Sequence, residues 1–281
     1  MGRRKKEDSA PGTSVAVNVD NDAYYIIQPT ELTMLKGYLS PLEIDIFVEV
    51  VDSMQDRLKK QRDELMSGKQ LSLFDFNDEV IQIPLSKFNV LPCDYWRLDD
   101  AAKKLSAFKI FHRFKDELGN WVDGYSTLFP DAGISKTSIK ADGTAYKYKN
   151  GSRTVGYMRI SVNKTLAPRF LNINKEWTRY MKKATRGCRC RYTPRMVMFI
   201  STYREKGLWQ IEYNEFRRLI GLLYNDEVVV IDEVTGRPKK RIVECEMKGY
   251  SKFSDVKRRI LDPAKEEMKD MCDKRALDCY F

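Results

Sequence analysis

The residues with the most chemistry to offer gather near the end of the chain. Lys252, Ser254, Lys257, Arg258 and Arg259 are interleaved with Phe253, Val256, Ile260, Leu261, Ala264 and Met268. The apolar positions recur at steps of 3, 4, 1, 3 and 4, which is one face of a helix. The basic residues are left for the other face. Ser251 is the expected N-cap, and Asp255 suits the first turn. An arginine can grip guanine O6 and N7 with two hydrogen bonds, and lysine or serine can hold a phosphate or a base edge. A solvated surface helix can carry the same three or four cations, so the pattern alone leaves both readings open. Pro263 adds a second alternative, in which Asp262-Pro263 opens a separate helix and only the stretch from Lys252 to Arg259 faces a ligand.

Composition narrows the ligand. Lys plus Arg number 50 against 40 Asp plus Glu in 281 residues, a net charge of +10. Such a surplus suits a polyanion, either nucleic acid or an acidic membrane surface, although a merely basic protein has it too. No apolar run approaches the roughly 18–20 residues of a spanning helix. The opening MGRRKKEDSAPGTS is basic with no apolar stretch behind it, so it is no secretory signal, and Lys6 breaks the myristoylation pattern. Residues 1–22 read as a disordered basic arm. The 6 cysteines include one C-x-C and no C-x-x-C, so neither a metal site nor a disulfide framework is expected and the compartment reads as cytoplasmic. His112 is the one histidine. That argues against a nicking enzyme with a histidine-held metal and against a tyrosine recombinase. No catalytic residue and no cofactor is expected.

The elements that must position these residues fall into two runs. Ser40-Pro41-Leu42-Glu43 carries N-cap, N1 and N3 signals, and the repeat Leu42, Ile46, Val50, Met54, Leu58 predicts one helix closed by Ser67-Gly68. VIQIPL is a strand, CDYWRLDDAAKKLSAF a helix, and FKIFHRF, which holds His112, a strand. Asn150-Gly151 marks a hairpin between a segment with Tyr146, Lys147, Tyr148 and Lys149 and the returning strand TVGYMRISVN, with Arg153 beside the turn. Helices followed by such a hairpin make a winged helix, whose wing lysines either touch phosphate or are ordinary surface charges. Lys175, Arg179, Lys182, Lys183, Arg186, Arg189, Arg191 and Arg195 face only Glu176, a lopsided run that suits phosphate. In the second run Thr193-Pro194 starts a helix ending at Lys206-Gly207, residues 208–213 are a strand, and Asn214 caps EFRRLIGLL with Arg217 and Arg218 outward. A hairpin around Thr235-Gly236 follows.

The order WQIEY, NEFRRLIGL, YSKFSDVKRRILDPAKEEM resembles the C-terminal winged helix of the iteron-plasmid replication initiators, the Rep/RepB type. Tyr250, Phe253, Lys257, Arg258, Arg259, Leu261, Pro263 and Ala264 match the family's run. IIQPTELTMLKGYLSPLEIDIFVEVV is similar to its opening segment. The resemblance implies an α+β protein of two tandem winged-helix (helix-turn-helix) domains forming a pseudo-repeat: residues 23–172, a basic linker 173–192, and residues 193–281. It implies a bacterial protein that binds the direct repeats (iterons) of a plasmid origin on double-stranded DNA. A monomer would initiate by distorting a nearby AT-rich stretch for a host helicase or initiator. A homodimer, joined through the first domain, would repress its own gene. The DNA contacts expected are Lys252, Ser254, Lys257, Arg258, Arg259, Arg217, Arg218, Arg195, Lys147, Lys149 and Arg153. The alternative is a winged-helix transcriptional regulator with no origin role. Residues 224–249 are a longer insert than the family pattern has, and ALDCYF stands where its last hairpin would begin, so that wing is expected to be minimal or cut short.

Overall fold

A computed structural model describes residues 25–70, 80–115, 118–135, 156–173, 176–231, 237–274 and 277. The expected arm, the hairpin with Lys147, Lys149 and Arg153, and the turn at Thr235-Gly236 lie outside the described residues. Strand β1 (Tyr25–Pro29) leads through the single turn α1 (Thr30–Thr33) to α2 (Pro41–Ser53). The start of α2 follows its local signals. Ser40 Oγ accepts from the Glu43 amide at 3.3 Å, and the Glu43 carboxylate accepts from the Ser40 amide at 3.1 Å. Pro41 sits in the first turn, where a missing N–H leaves no bond unmade. Ile44, Ile46, Phe47, Val48, Val50 and Val51 are all buried, so α2 is covered on more than one side and forms the centre of the core.

The single helix expected to run on to Met66 breaks at Met54 (φ −105°, ψ 5°), and α3 (Gln55–Met66) starts at the next residue. Two glutamines explain the break. Gln55 turns onto β1, where its side-chain oxygen accepts from the Ile27 amide and its amide donates to the Ile27 carbonyl, each at 2.8 Å. Gln61, fully buried, accepts from the Ile173 amide at 3.0 Å and donates to Asn172 at 2.9 Å. Buried backbone groups need partners, and a straight helix would carry these side chains past theirs. The closing Ser67-Gly68 holds, with Gly68 at φ +67°.

The chain continues through β2 (Val80–Pro84), α4 (Tyr95–Ala107), β3 (Lys109–Lys115), β4 (Trp121–Thr127), β5 (Asp131–Ser135), β6 (Tyr157–Ser161), α5 (Ala167–Phe170) and β7 (Trp177–Met181). It then runs through α6 (Thr193–Tyr203), α7 (Tyr213–Leu219), β8 (Leu223–Ile231), β9 (Pro238–Glu246), α8 (Phe253–Val256) and α9 (Asp262–Asp273). All pairing is antiparallel: β1 with β7, a sheet in the order β2-β6-β5, and the hairpins β3-β4 and β8-β9. The strand after Asn150-Gly151 is present as β6, in register with β2 and β5 (Val80 and Asp131 both opposite Ser161).

The segment 173–192 is not a free linker. Its strand β7 completes a sheet with β1, and Tyr180, fully buried, donates to Gln28 Oε1 at 2.8 Å. Lys182 then bridges to Glu49 and Asp52 of α2, each at 2.7 Å, and Arg186 pairs with Glu49. Lys87 approaches both carboxylates at 3.7 and 3.6 Å. Two cations that read as phosphate-facing therefore neutralise a nearly inaccessible carboxylate, whose burial without them would be costly. Arg179 lies over the Tyr25 ring at 4.0 Å.

Asp45, on the same helix, keeps a cost. Burial pushes its carboxyl up to about 6 from the ordinary 3.8, against the pull of Arg186 and Lys182. The folded value lies above the unfolded one. The stability linked to the protonated form is therefore complete below 3.8 and is lost as pH rises through about 6. Asp45→Asn should stabilise the protein by about 1–3 kcal/mol at neutral pH, and the gain should fade toward about pH 4. Urea melts across that range test this; a gain that does not change with pH would show that Asp45 ionises unhindered.

Candidate nucleic-acid interface

The C-terminal helix runs from α8 through a π turn (Lys257–Leu261) into α9 without a break. Lys252 is its N-cap and no side chain caps it, so the expected Ser251 cap is not formed. Pro263 does not divide it: Leu261 (φ −69°, ψ −49°) and Asp262 (φ −63°, ψ −48°) are both helical. Instead the ladder widens before the proline. The Asp262 amide donates to the Lys257 carbonyl five residues back, and the wider turn accommodates a ring that would crowd an α-helical one. Val256, Ile260, Ala264 and Met268 are fully buried, while Lys252, Ser254, Lys257, Arg258 and Arg259 are exposed. Arg258 bonds Asp255 at 2.9 Å and stays 71% exposed. Lys257 stands 3.6 Å from Asp262. Arg259 lies 5.7 Å over the Tyr250 ring, in space that Gly249, at φ +84°, leaves open.

Glu267 fixes this helix to the rest of the molecule. Its carboxylate, nearly buried, accepts from the Arg189 amide at 2.5 Å, the Cys190 amide at 3.2 Å and the Thr193 hydroxyl at 2.6 Å. Thr193 was expected to cap α6; it lies inside the helix and its hydroxyl donates to Glu267 instead. Arg191 ties in a second point, donating to Tyr192 Oη at 2.8 Å and Tyr250 Oη at 3.1 Å.

Arg195, Arg217 and Arg218 are engaged within the fold, whereas Lys147, Lys149 and Arg153 lie outside the described residues. Arg195 is 3% exposed, because the first half of α6 is buried on every side. It donates to the carbonyls of Leu35 and Leu219, and desolvation lowers its pKa to about 10. It joins the chain's two halves and is not placed to meet a ligand. Arg217 is almost buried and pairs with Glu246; Arg218 bonds Glu244 and Glu215, each at 2.7 Å. Lys36 reaches Glu215 at 2.7 Å and the Gly37 amide donates to the Arg218 carbonyl at 3.0 Å, so α7 is held against the 34–39 loop. The α7 cap is Glu212, which accepts from the Asn214 and Glu215 amides, and not Asn214. Residues 208–212 form no ladder. Trp209, Ile211 and Tyr213 alternate onto the core as a strand would, with Trp209 stacked on Tyr203 at 5.6 Å.

The described geometry is thus a mixed α/β first half, a clamped α7, and a C-terminal helix whose basic side is exposed. The family described as "Initiator Replication protein, WH1" matches residues 25–201, more than half of the chain. The chain belongs to that family. It is a Rep-type plasmid replication initiator with a winged-helix domain, and DNA binding comes with the family. A search of curated proteins gives no match. Among the described residues no helix is long and apolar enough to cross a membrane.

The match ends inside α6, so the C-terminal helix of this initiator lies beyond it. Sequence reading missed Glu267, because a glutamate in the run Lys265-Glu266-Glu267 looks like solvated surface; the available signal was its spacing of three from Ala264, on the apolar face. Glu267→Ala leaves two amides and a hydroxyl of the initiator unpaired and should lower stability by about 2–4 kcal/mol. Glu267→Gln, which can supply one acceptor oxygen, should lose less. Equal melting of both variants and the parent in urea would remove Glu267 from this role.

Proposed function

We propose that this initiator reads origin direct repeats with the helix of residues 253–273. One observation carries the reading: a helix with Val256, Ile260, Ala264 and Met268 fully buried presents Lys252, Ser254, Lys257, Arg258 and Arg259 to solvent on a fixed mount. A helix presented in this way suits the major groove, with arginines bidentate to guanine and lysines on phosphate. In this reading residues 193–281 form a second winged helix, arranged with the first as a pseudo-repeat. The chain binds iterons as a monomer, assists a host helicase or initiator, and represses its own promoter as a homodimer. Lys147, Lys149 and Arg153 would act as the first domain's wing. Arg195, Arg217 and Arg218 serve it as mounts for the reading helix.

Arg259→Ala should weaken specific binding by about 1–3 kcal/mol and relax preference at one base pair. Lys149→Ala should weaken all duplexes alike and reduce the slope of log K against log salt by about one. Titrations on DNA beside the gene, against scrambled duplex, separate the two. Specific binding that survives both Arg258→Ala and Arg259→Ala would place the reading element elsewhere.

A further inference from the structure

A helix-turn-helix joins its two helices by a turn, and here the β8-β9 hairpin stands in that place. Its ends meet. Leu223 pairs with Glu246, and the Met247 amide donates to the Leu222 carbonyl at 2.9 Å, so α7 and α8 stay joined across a short gap. The base is pinned to α7 by Arg217 on Glu246 and Arg218 on Glu244. The far half stands in solvent: Val229 and Ile231 are 63% and 65% exposed, and Arg237 and Pro238 are exposed.

Charge is sorted along this hairpin. Asp226, Glu227, Glu244 and Glu246 lie in its near half. Arg237, Lys239, Lys240 and Arg241 lie in its far half, opposite the uncharged run from Val228 to Ile231; Asp232 and Glu233 fall in the connection, outside the described residues. Side chains alternate between the faces of a strand. By register, positions 239 and 241 fall on one face of β9, position 240 falls on the other opposite Val229, and Arg237 directly precedes the strand. From Glu246 to Pro238 the strand spans about 26 Å at roughly 3.3 Å per residue, or about 7–8 base pairs of duplex.

We propose that this hairpin is a second DNA-contacting arm, whose basic far half, with Arg237, Lys239 and Arg241, lies along the phosphate backbone beyond the stretch read by the C-terminal helix. The proposal rests on the reading of that helix as the one in the groove. The base of the arm, at Glu246, lies six residues before Lys252, the first basic residue of the helix. The arm adds affinity and length of footprint without sequence information, since phosphate contacts position and base contacts specify.

The test compares the full-length protein with Arg237→Gln/Lys239→Gln/Arg241→Gln and with Lys240→Gln alone, on DNA beside the gene and on a random-sequence duplex. The triple variant should bind both duplexes about 30-fold more weakly at low salt, with a salt slope smaller by roughly 2–3 and an unchanged specificity ratio. Its footprint should be shorter on one flank, and its melting temperature should not change. Lys240→Gln should have a much smaller effect. Restoring charge with the exchanged set Arg237→Lys/Lys239→Arg/Arg241→Lys should restore the slope. An unaltered slope and footprint in the triple variant overturns the arm, and so does a loss confined to self-association. If the parent protein shows no sequence preference, the reading of the helix fails instead, while the slope on random duplex still scores the arm.

Discussion

The carboxylate of Glu267 holds the structure's exposed cations in place. It is the point where the C-terminal helix meets the start of α6, and it takes two amides and a hydroxyl from residues 189–193. A buried carboxylate is costly unless its oxygens are engaged, as those of Glu267 are, and such groups fix one arrangement better than apolar contact does. Apolar packing of Val256, Ile260, Ala264 and Met268 would allow the helix to slide or roll; the hydrogen bonds to one short segment do not. The direction in which Arg258 and Arg259 point is therefore set by a residue with the opposite charge.

Charge in this chain does two kinds of work, and only burial tells them apart. The run from Lys175 to Arg195 is far more basic than the C-terminal helix, yet Lys182 and Arg186 compensate Glu49, and Arg195 bonds two carbonyls between the halves. Arg217 and Arg218 anchor the hairpin. These partners are 24 to 160 residues away in the chain and cannot be found by scanning neighbours. The C-terminal helix was legible for the opposite reason: its apolar and basic residues sort by a local period.

The same division governs the fold. Capping at Ser40, closure at Gly68 and Gly207, and the strands at VIQIPL and FKIFHRF depend on nearby residues, and each was readable. The break at Met54 was not, because Leu58 continues the four-residue repeat across it while Gln55 and Gln61 answer to β1 and to residues 172–173. Residues 208–212 show the converse. They alternate as a strand does, but alternation records burial of every second side chain and does not guarantee a neighbouring strand. Family membership rests on the first half; the likeness at residues 250–268 lies outside the matched span and gains its support from the helix's exposure pattern.

Pro263 links sequence period to surface shape. At 3.6 residues per turn, a step of four advances about 40° beyond a full turn, so three steps would carry Met268 about 120° away from Val256. All four residues at that spacing are nevertheless fully buried. The π turn reconciles the two, because a turn closed by a bond five residues back holds more residues and takes up part of the drift. The proline that disfavours the α-helical ladder there is the reason the wider turn falls between Lys257 and Leu261. The basic block Lys257, Arg258 and Arg259 thus sits on the outer wall of the turn that keeps Ile260 and Ala264 in line. What first reads as a helix breaker is the residue that lets one face stay buried while the other stays basic.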